Sequence, residues 1–149
     1  MDKYDWTKLN PLQLGRYAEY YVKMEFTLLG FDIYEPGVDD RGVDFVIRKN
    51  YSTFYDIQAK SLCKASYAFM PKEKFALRKN LYLALVLFKQ EKPPELYLIP
   101  SLDWRKPNEL LVGRDYVQKK SKPEWGISVT NKSLSRLQKY QFERIAATL

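Results

Sequence analysis

The chain has 149 residues, a length that folds as one domain around a single core. Its hydrophobic fraction of 46% is ordinary for a globular protein, yet it has no histidine and one cysteine, Cys63. Those counts exclude an internal disulfide, cysteine-rich or His-ligated zinc, and hydrolysis built on a histidine base. Chemistry is left to carboxylates, amides, lysines and a hard, oxygen-binding cation. Cys63 itself reads as a buried, inert thiol. The net charge of +7 is unevenly placed: residues 1–75 carry 11 Lys/Arg against 11 Asp/Glu, and residues 76–149 carry 14 against 7. A basic half beside a neutral, carboxylate-bearing half suits a protein that attracts phosphates and holds a metal. An idle basic surface explains the charge equally well. The longest apolar run, Leu81 to Phe88, is far shorter than the roughly 20 residues of a membrane span. Asp2 and Asp5 give the N-terminus neither the basic start nor the apolar stretch of a signal peptide. An intracellular protein with no membrane partner is expected.

Along the chain, Asn10-Pro11 is a helix start and Gly30 a C-cap. Between them Ala18, Val22, Phe26 and Leu29 recur at helical spacing and should face the core. Glu19 then falls on the shoulder of that apolar face, where a solvated glutamate is the plainer reading. Phe31 to Tyr34 reads as a short strand, followed by turns at Glu35-Pro36-Gly37 and Asp39-Asp40-Arg41-Gly42. Val43 to Arg48 is a strand with Val43, Phe45 and Ile47 on one face and Asp44, Val46 and Arg48 on the other. A hairpin at Asn50 to Ser52 leads into a strand from Thr53 to Ser61. There Tyr55, Ile57 and Ala59 share one face, while Asp56, Gln58 and Lys60 share the other.

Pro71 to Lys79 is expected as a short helix, Leu81 to Phe88 as a fully buried strand, and Leu96 to Ile99 as its return after the turn Lys92-Pro93-Pro94. The stretch from Pro100 to Glu124 looks irregular, Gly126 to Val129 adds a short strand, and Ser133 caps a final helix with Leu134, Leu137, Ile145 and Leu149 toward the core. No repeat, low-complexity segment or second-domain boundary is visible. The expected whole is a single mixed α/β domain, 1–149.

The informative feature is Gly42-Val43-Asp44 followed by Gln58-Ala59-Lys60. Gln58 and Lys60 point the same way, about 7 Å apart along their strand, and antiparallel pairing sets Asp44 beside them. Neither suits a buried sheet face without a polar partner, so their face should open to solvent or a ligand. Asp44 and the Gln58 amide oxygen are a pair of ligands for Mg²⁺. Lys60 is placed to orient or deprotonate a water and to offset charge building on phosphorus. Glu19, from the helix, is placed to bind the same metal or one of its waters.

This pattern resembles the PD-(D/E)XK nuclease superfamily in its QXK form. Leu14-Gly15-Arg16-Tyr17-Ala18-Glu19 is similar to the first helix with its glutamate, Gly42-Val43-Asp44 stands in place of the proline-aspartate motif, and Ile57-Gln58-Ala59-Lys60 matches the (D/E)XK segment. The likeness covers residues 12–100. It departs at Val43, which replaces the proline, and at Gln58, a neutral residue where a carboxylate is usual. It implies a restriction-endonuclease-like αβββαβ core with a mixed central sheet flanked by helices. It also implies a Mg²⁺-dependent endonuclease (Mn²⁺ the alternative ion) that cuts double-stranded DNA, with catalytic Glu19, Asp44, Gln58 and Lys60 and metal ligands Asp44, Gln58 and Glu19. Homing and restriction-type enzymes are the subgroups it suggests, and a nucleoid-associated, cytoplasmic location follows. Candidate phosphate contacts are Arg16, Lys64, Lys72, Lys74, Arg78 and Lys79 near the site, and Lys119, Lys120 and Lys122 in the later loop. A homodimer or higher homo-oligomer is implied, with Leu81 to Phe88 or the final helix as interface. The alternatives are a DNA-binding protein on a degenerate nuclease fold, or a structural subunit whose QXK is accidental. Most of the 12 tyrosines and 8 phenylalanines are expected in the core or at an interface.

Overall fold

The computed structural model describes residues 2–38 and 41–149, so the Asp39-Asp40 half of one expected turn lies outside the described residues. Helix α1 (Pro11–Leu28) starts as its sequence dictates. The Asn10 side chain accepts from the Gln13 amide, the Gln13 side chain accepts from the Asn10 amide, and Pro11 fills the first position. The helix stops one residue earlier than expected. Leu29 is the C-cap and Gly30 follows it with φ +87°, so that the Gly30 and Phe31 amides return to the carbonyls of Thr27 and Phe26. Ala18, Val22 and Phe26 are buried, whereas Leu29, expected in the core, is exposed.

Eight strands follow: β1 (Asp32–Tyr34), β2 (Phe45–Arg48), β3 (Phe54–Leu62), β4 (Tyr67–Pro71), β5 (Leu81–Leu87), β6 (Glu95–Pro100), β7 (Leu111–Arg114) and β8 (Glu124–Ser128). Five form a central mixed sheet in the order β1-β2-β3-β5-β6, antiparallel except for the parallel pair β3 and β5. The other three form a second, antiparallel sheet, β4-β8-β7.

Alternation along each strand gives the central sheet two apolar faces. Phe45, Ile47, Ile57, Ala84, Val86 and Leu98 pack with Ala18, Val22 and Phe26 of α1. Leu81, Leu83, Leu85 and Ile99 pack with Met70, Leu111 and Ile127 of the second sheet. Because β5 is covered on both faces and paired on both edges, it has no surface for a subunit interface, contrary to that expectation.

Two expected helices do not form as drawn. Over Pro71 to Lys79 there is one turn, in which the Lys74 and Phe75 amides both return to the Pro71 carbonyl. Residues 67–71 are held in a strand by β8, and Phe75 is pulled into the second core, so the parallel crossover is made by β4 and this turn. The C-terminal helix is broken into α2 (Leu134–Leu137), a 3-10 turn (Gln138–Tyr140) and α3 (Phe142–Ala146). Leu137 belongs to the second core and Phe142 and Ala146 to the first, on opposite faces of the central sheet. One straight helix cannot reach both. The chain rounds the sheet edge instead, with Gln141 extended and bridged to Tyr97 of β6. Leu134 is consequently exposed, Ile145 and Leu149 are half-buried, and the buried Ser133 hydroxyl is spent on the Thr130 amide and the Ser128 carbonyl rather than on a helix cap. The result is a mixed α/β domain with a mixed central sheet flanked by helices, α1 and α3 on one face and α2 toward the other.

Candidate active site

Asp44 lies one residue before β2, at the end of the sheet. Its amide donates to the Ile57 carbonyl at 2.9 Å, and its carboxylate accepts from the Ala59 amide at 2.7 Å. Ala59 is the residue between Gln58 and Lys60, so Asp44 is turned toward that pair. Gly42 makes this entry possible. It sits at φ +77°, and a Cβ there would collide with the carbonyl of Lys74 in the turn after β4. The close backbone approach pins the segment that carries Asp44.

Gln58 and Lys60 share the face of β3 that meets the second core, opposite Leu83 and Leu85 of β5. That face was expected to be open. At Gln58 it is not, because the residue is buried against its leucine neighbours and the second sheet lies over them. Among the described residues the Gln58 Oε1 is a buried oxygen with no hydrogen-bond partner. Lys60, one row on, is half-buried, and no carboxylate among the described residues pairs with it. Asp56, one row back on the same face, is held by Arg78 at 2.6 Å.

Glu19 reaches the same sheet end from α1. It lines a cavity of about 270 Å³ together with Asp44, Arg16, Tyr20, Lys23, Glu35 and Pro36. Its carboxylate is bonded to the Lys23 ammonium at 2.9 Å and lies 3.8 Å from the Arg16 guanidinium. Lys23 also binds Glu35, just beyond β1, and its side chain is only 13% exposed. Burial works against the Lys23 charge, but the hydrogen bonds to Glu35 and Glu19 outweigh it and hold the ammonium above its usual pKa. Lys23 and Glu35 escaped the sequence reading. The spacing from Glu19 to Lys23 was visible as a helical ion pair, whereas Glu35 joins only once β1 is laid against α1.

The oxygen donors fit a divalent cation in kind. An unpartnered buried amide oxygen is costly and is relieved by a cation, and Asp44 supplies a carboxylate alongside. The set is lean, since no group of three or more acidic or other strong metal-binding side chains gathers among the described residues.

The candidate phosphate contacts divide. Arg16, Lys64, Lys74, Lys79, Lys119 and Lys120 are exposed. Lys72 is committed to Asp115 at 2.9 Å and lies 3.9 Å over the Trp125 ring; Arg78 is committed to Asp56, and Lys122 to Glu73 at 2.8 Å. Cys63 is half-buried rather than buried. No helix among the described residues is long and apolar enough to cross a membrane.

No family model matches the sequence, and no curated protein matches it. A solved structure does share its fold. It is that of Archaeoglobus fulgidus Hjc, a Holliday junction resolvase from an archaeal hyperthermophile, with a TM-score of 0.57, 14% identity, and coverage of 89% of this chain and 95% of that one.

Proposed function

We propose that this chain is a divalent-metal-dependent endonuclease acting on DNA, with Asp44, Gln58, Lys60 and Glu19 as its active site. The observation that carries the reading is the Asp44 carboxylate on the amide of Ala59, the residue between Gln58, whose buried oxygen has no partner among the described residues, and Lys60. The order and spacing of these residues resemble the PD-(D/E)XK pattern, and the fold is one that a Holliday junction resolvase also has.

Asp44 and the Gln58 oxygen would hold the cation, Mg²⁺ or Mn²⁺, with Glu19 as a third donor once it parts from Lys23. When bound, such an ion polarises the scissile phosphate and acidifies a water. Lys60 would orient the attacking water and, as an ammonium, offset the charge that develops on the phosphate oxygens. The Ala59 amide keeps the Asp44 carboxylate in one orientation. Exposed Arg16, Lys64, Lys74, Lys79, Lys119, Lys120 and Lys122 bind the backbone, while Lys72 and Arg78 chiefly hold Asp115 and Asp56. A homodimer would supply one site per strand of double-stranded DNA.

The test is a cleavage assay with Mg²⁺ or Mn²⁺ on supercoiled plasmid, linear duplex and a four-way junction. The wild type is expected to cut at least one of them, and Lys60→Ala to abolish cutting while DNA affinity stays within a few-fold. A Lys60→Ala protein that cuts as well as wild type would refute the site. Cutting confined to the junction favours a resolvase, and cutting at one duplex sequence favours a homing or restriction enzyme. A second reading, a DNA-binding protein that no longer cuts, is favoured by the neutral Gln58 and by the hold of Lys23 on Glu19; salt-sensitive binding without cleavage by any of the three substrates would establish it.

A further inference from the structure

Building on the nuclease reading, we infer that the open part of the active-site face is a stacking platform for unpaired nucleotides beside the scissile phosphate. The register places the residues in rows. Asp32, Arg48 and Phe54 face one another across β1, β2 and β3, and Tyr34, Val46 and Asp56 form the next row. Continuing the β2–β3 register sets Asp44 against Gln58 in the row after that, and Lys60 lies one row further. Alternation puts all of these side chains on the same face. Successive rows are about 7 Å apart. Tyr34 is thus one row from the Asp44–Gln58 row, and Arg48 and Phe54 are two.

The second sheet covers this face over β3, β5 and β6 but leaves the β1–β2 side open. Three aromatic side chains stand there in solvent: Tyr34 at 42%, Phe54 at 44% and Tyr51, on the hairpin, at 94% exposure. They surround one guanidinium. The Arg48 Cζ lies 5.0 Å from the Tyr34 ring centre, 5.3 Å from Phe54 and 5.8 Å from Tyr51, and Arg48 is hydrogen-bonded to the Tyr34 hydroxyl. Tyr34 and Phe54 are themselves 6.2 Å apart and tilted. The Arg48 contacts hold the rings in place, and three exposed rings gathered on one sheet face form the kind of patch that marks a binding surface.

Nucleobases are the occupant that fits. Exposed rings flanked by a cation bind bases by stacking and cation–π attraction, with little regard to sequence. The carboxylate of Asp32, 3.9 Å from Arg48, lies on the outer edge strand. A strand whose phosphate sits at Asp44, Gln58 and Lys60 carries its next nucleotides over these rings. In an intact duplex those bases are stacked on one another and closed to side chains. The substrate class is therefore DNA with unpaired bases next to the cut, such as a flap, a gap or a branch point.

The experiment compares a blunt duplex with the same duplex carrying a short single-stranded tail, by fluorescence anisotropy on full-length protein without divalent metal. A fluorescent aminopurine in the tail reports stacking directly. The variants are Tyr51→Ala and the double variant Tyr34→Leu/Phe54→Leu, which keeps apolar volume but removes the π faces; circular dichroism checks their fold. Wild type is expected to bind the tailed DNA at least fivefold tighter than the blunt one and to quench the aminopurine, and the double variant to lose both effects while blunt binding stays unchanged. Equal tail preference in variant and wild type overturns the platform. So does an equal loss on both DNAs, which marks a general backbone contact, or a change in oligomeric state, which marks a subunit interface. If wild type binds neither DNA, the nuclease reading itself fails, and that outcome is separate from the other three.

Discussion

Lys23 already holds the carboxylate that a metal would claim. Glu19 and Lys23 are 2.9 Å apart with side chains 21% and 13% exposed, so this is a sheltered, charge-assisted hydrogen bond rather than a solvated surface pair. Such bonds contribute about 2 kcal/mol net. A divalent ion that takes Glu19 must break it, while the second bond from Lys23 to Glu35 remains. Lys23→Met removes the competitor and keeps an unbranched side chain along the Phe45 and Tyr20 rings that Lys23 now covers. With about 1.4 kcal/mol per tenfold, Mn²⁺ should bind the variant on the order of 30-fold tighter. Because the two glutamates hold the Lys23 pKa above its usual value, the competition should persist across any working pH. Isothermal titration of Mn²⁺ into both proteins measures the change without relying on cleavage. An affinity that is unchanged or weaker in Lys23→Met would show that Glu19 is not a ligand. Glu19→Gln should then bind as wild type does, instead of more weakly.

Gln58→Glu should bind Mn²⁺ about tenfold tighter than wild type by adding a charged ligand. Without metal it should melt at a lower temperature, because the new carboxylate is buried; a variant that melts higher without metal contradicts the placement of Gln58. Gly42→Ala should cost about 2 kcal/mol or more, from its positive φ and the collision with the Lys74 carbonyl, read as a lower urea midpoint. Tyr97 is pushed up to about 12 by burial and then by its hydrogen bond to Glu95, and Tyr140 is raised by burial and by Asp103. A phenol raised on folding contributes stability that is complete below its unfolded pKa of about 10 and is lost as pH climbs toward the folded value. The urea midpoint should hold steady to about pH 10 and fall above it; a flat profile into that range would refute the tyrosine assignment.

Sequence alone carried far where its signals are local. The caps of α1, the alternation of Phe45 and Ile47 against Asp44, and the apolar run of β5 each specify their element within a few residues. Those same signals set Asp44 against β3, where its carboxylate meets the Ala59 amide, since a hairpin joins the two strands. The misses are contacts made at long range. Residues 67–71 become a strand because β8 lies against them, a partner that the local sequence over Pro71 to Lys79 does not reveal. The final helix is expected whole because its apolar spacing does not reveal that Leu137 and Phe142 lie on opposite faces of one sheet. The burial of Gln58 is likewise a product of the second sheet, and the link from Glu19 through Lys23 to Glu35 needs the placement of β1.

The second sheet also fixes the order in which the protein can mature on the ribosome. β4 leaves the tunnel between two strands of the central sheet, yet its partner β8 is made from residues 124–128. Until those emerge, β4 has an open edge, and the leucine side of β5 that it helps to cover stays wet. The Gly42 approach to Lys74 depends on the turn that β4 anchors. A nascent chain long enough to contain Glu19, Asp44, Gln58 and Lys60 therefore still lacks the support that sets Gly42 and covers Gln58, which arrives only when residues 124–128 emerge.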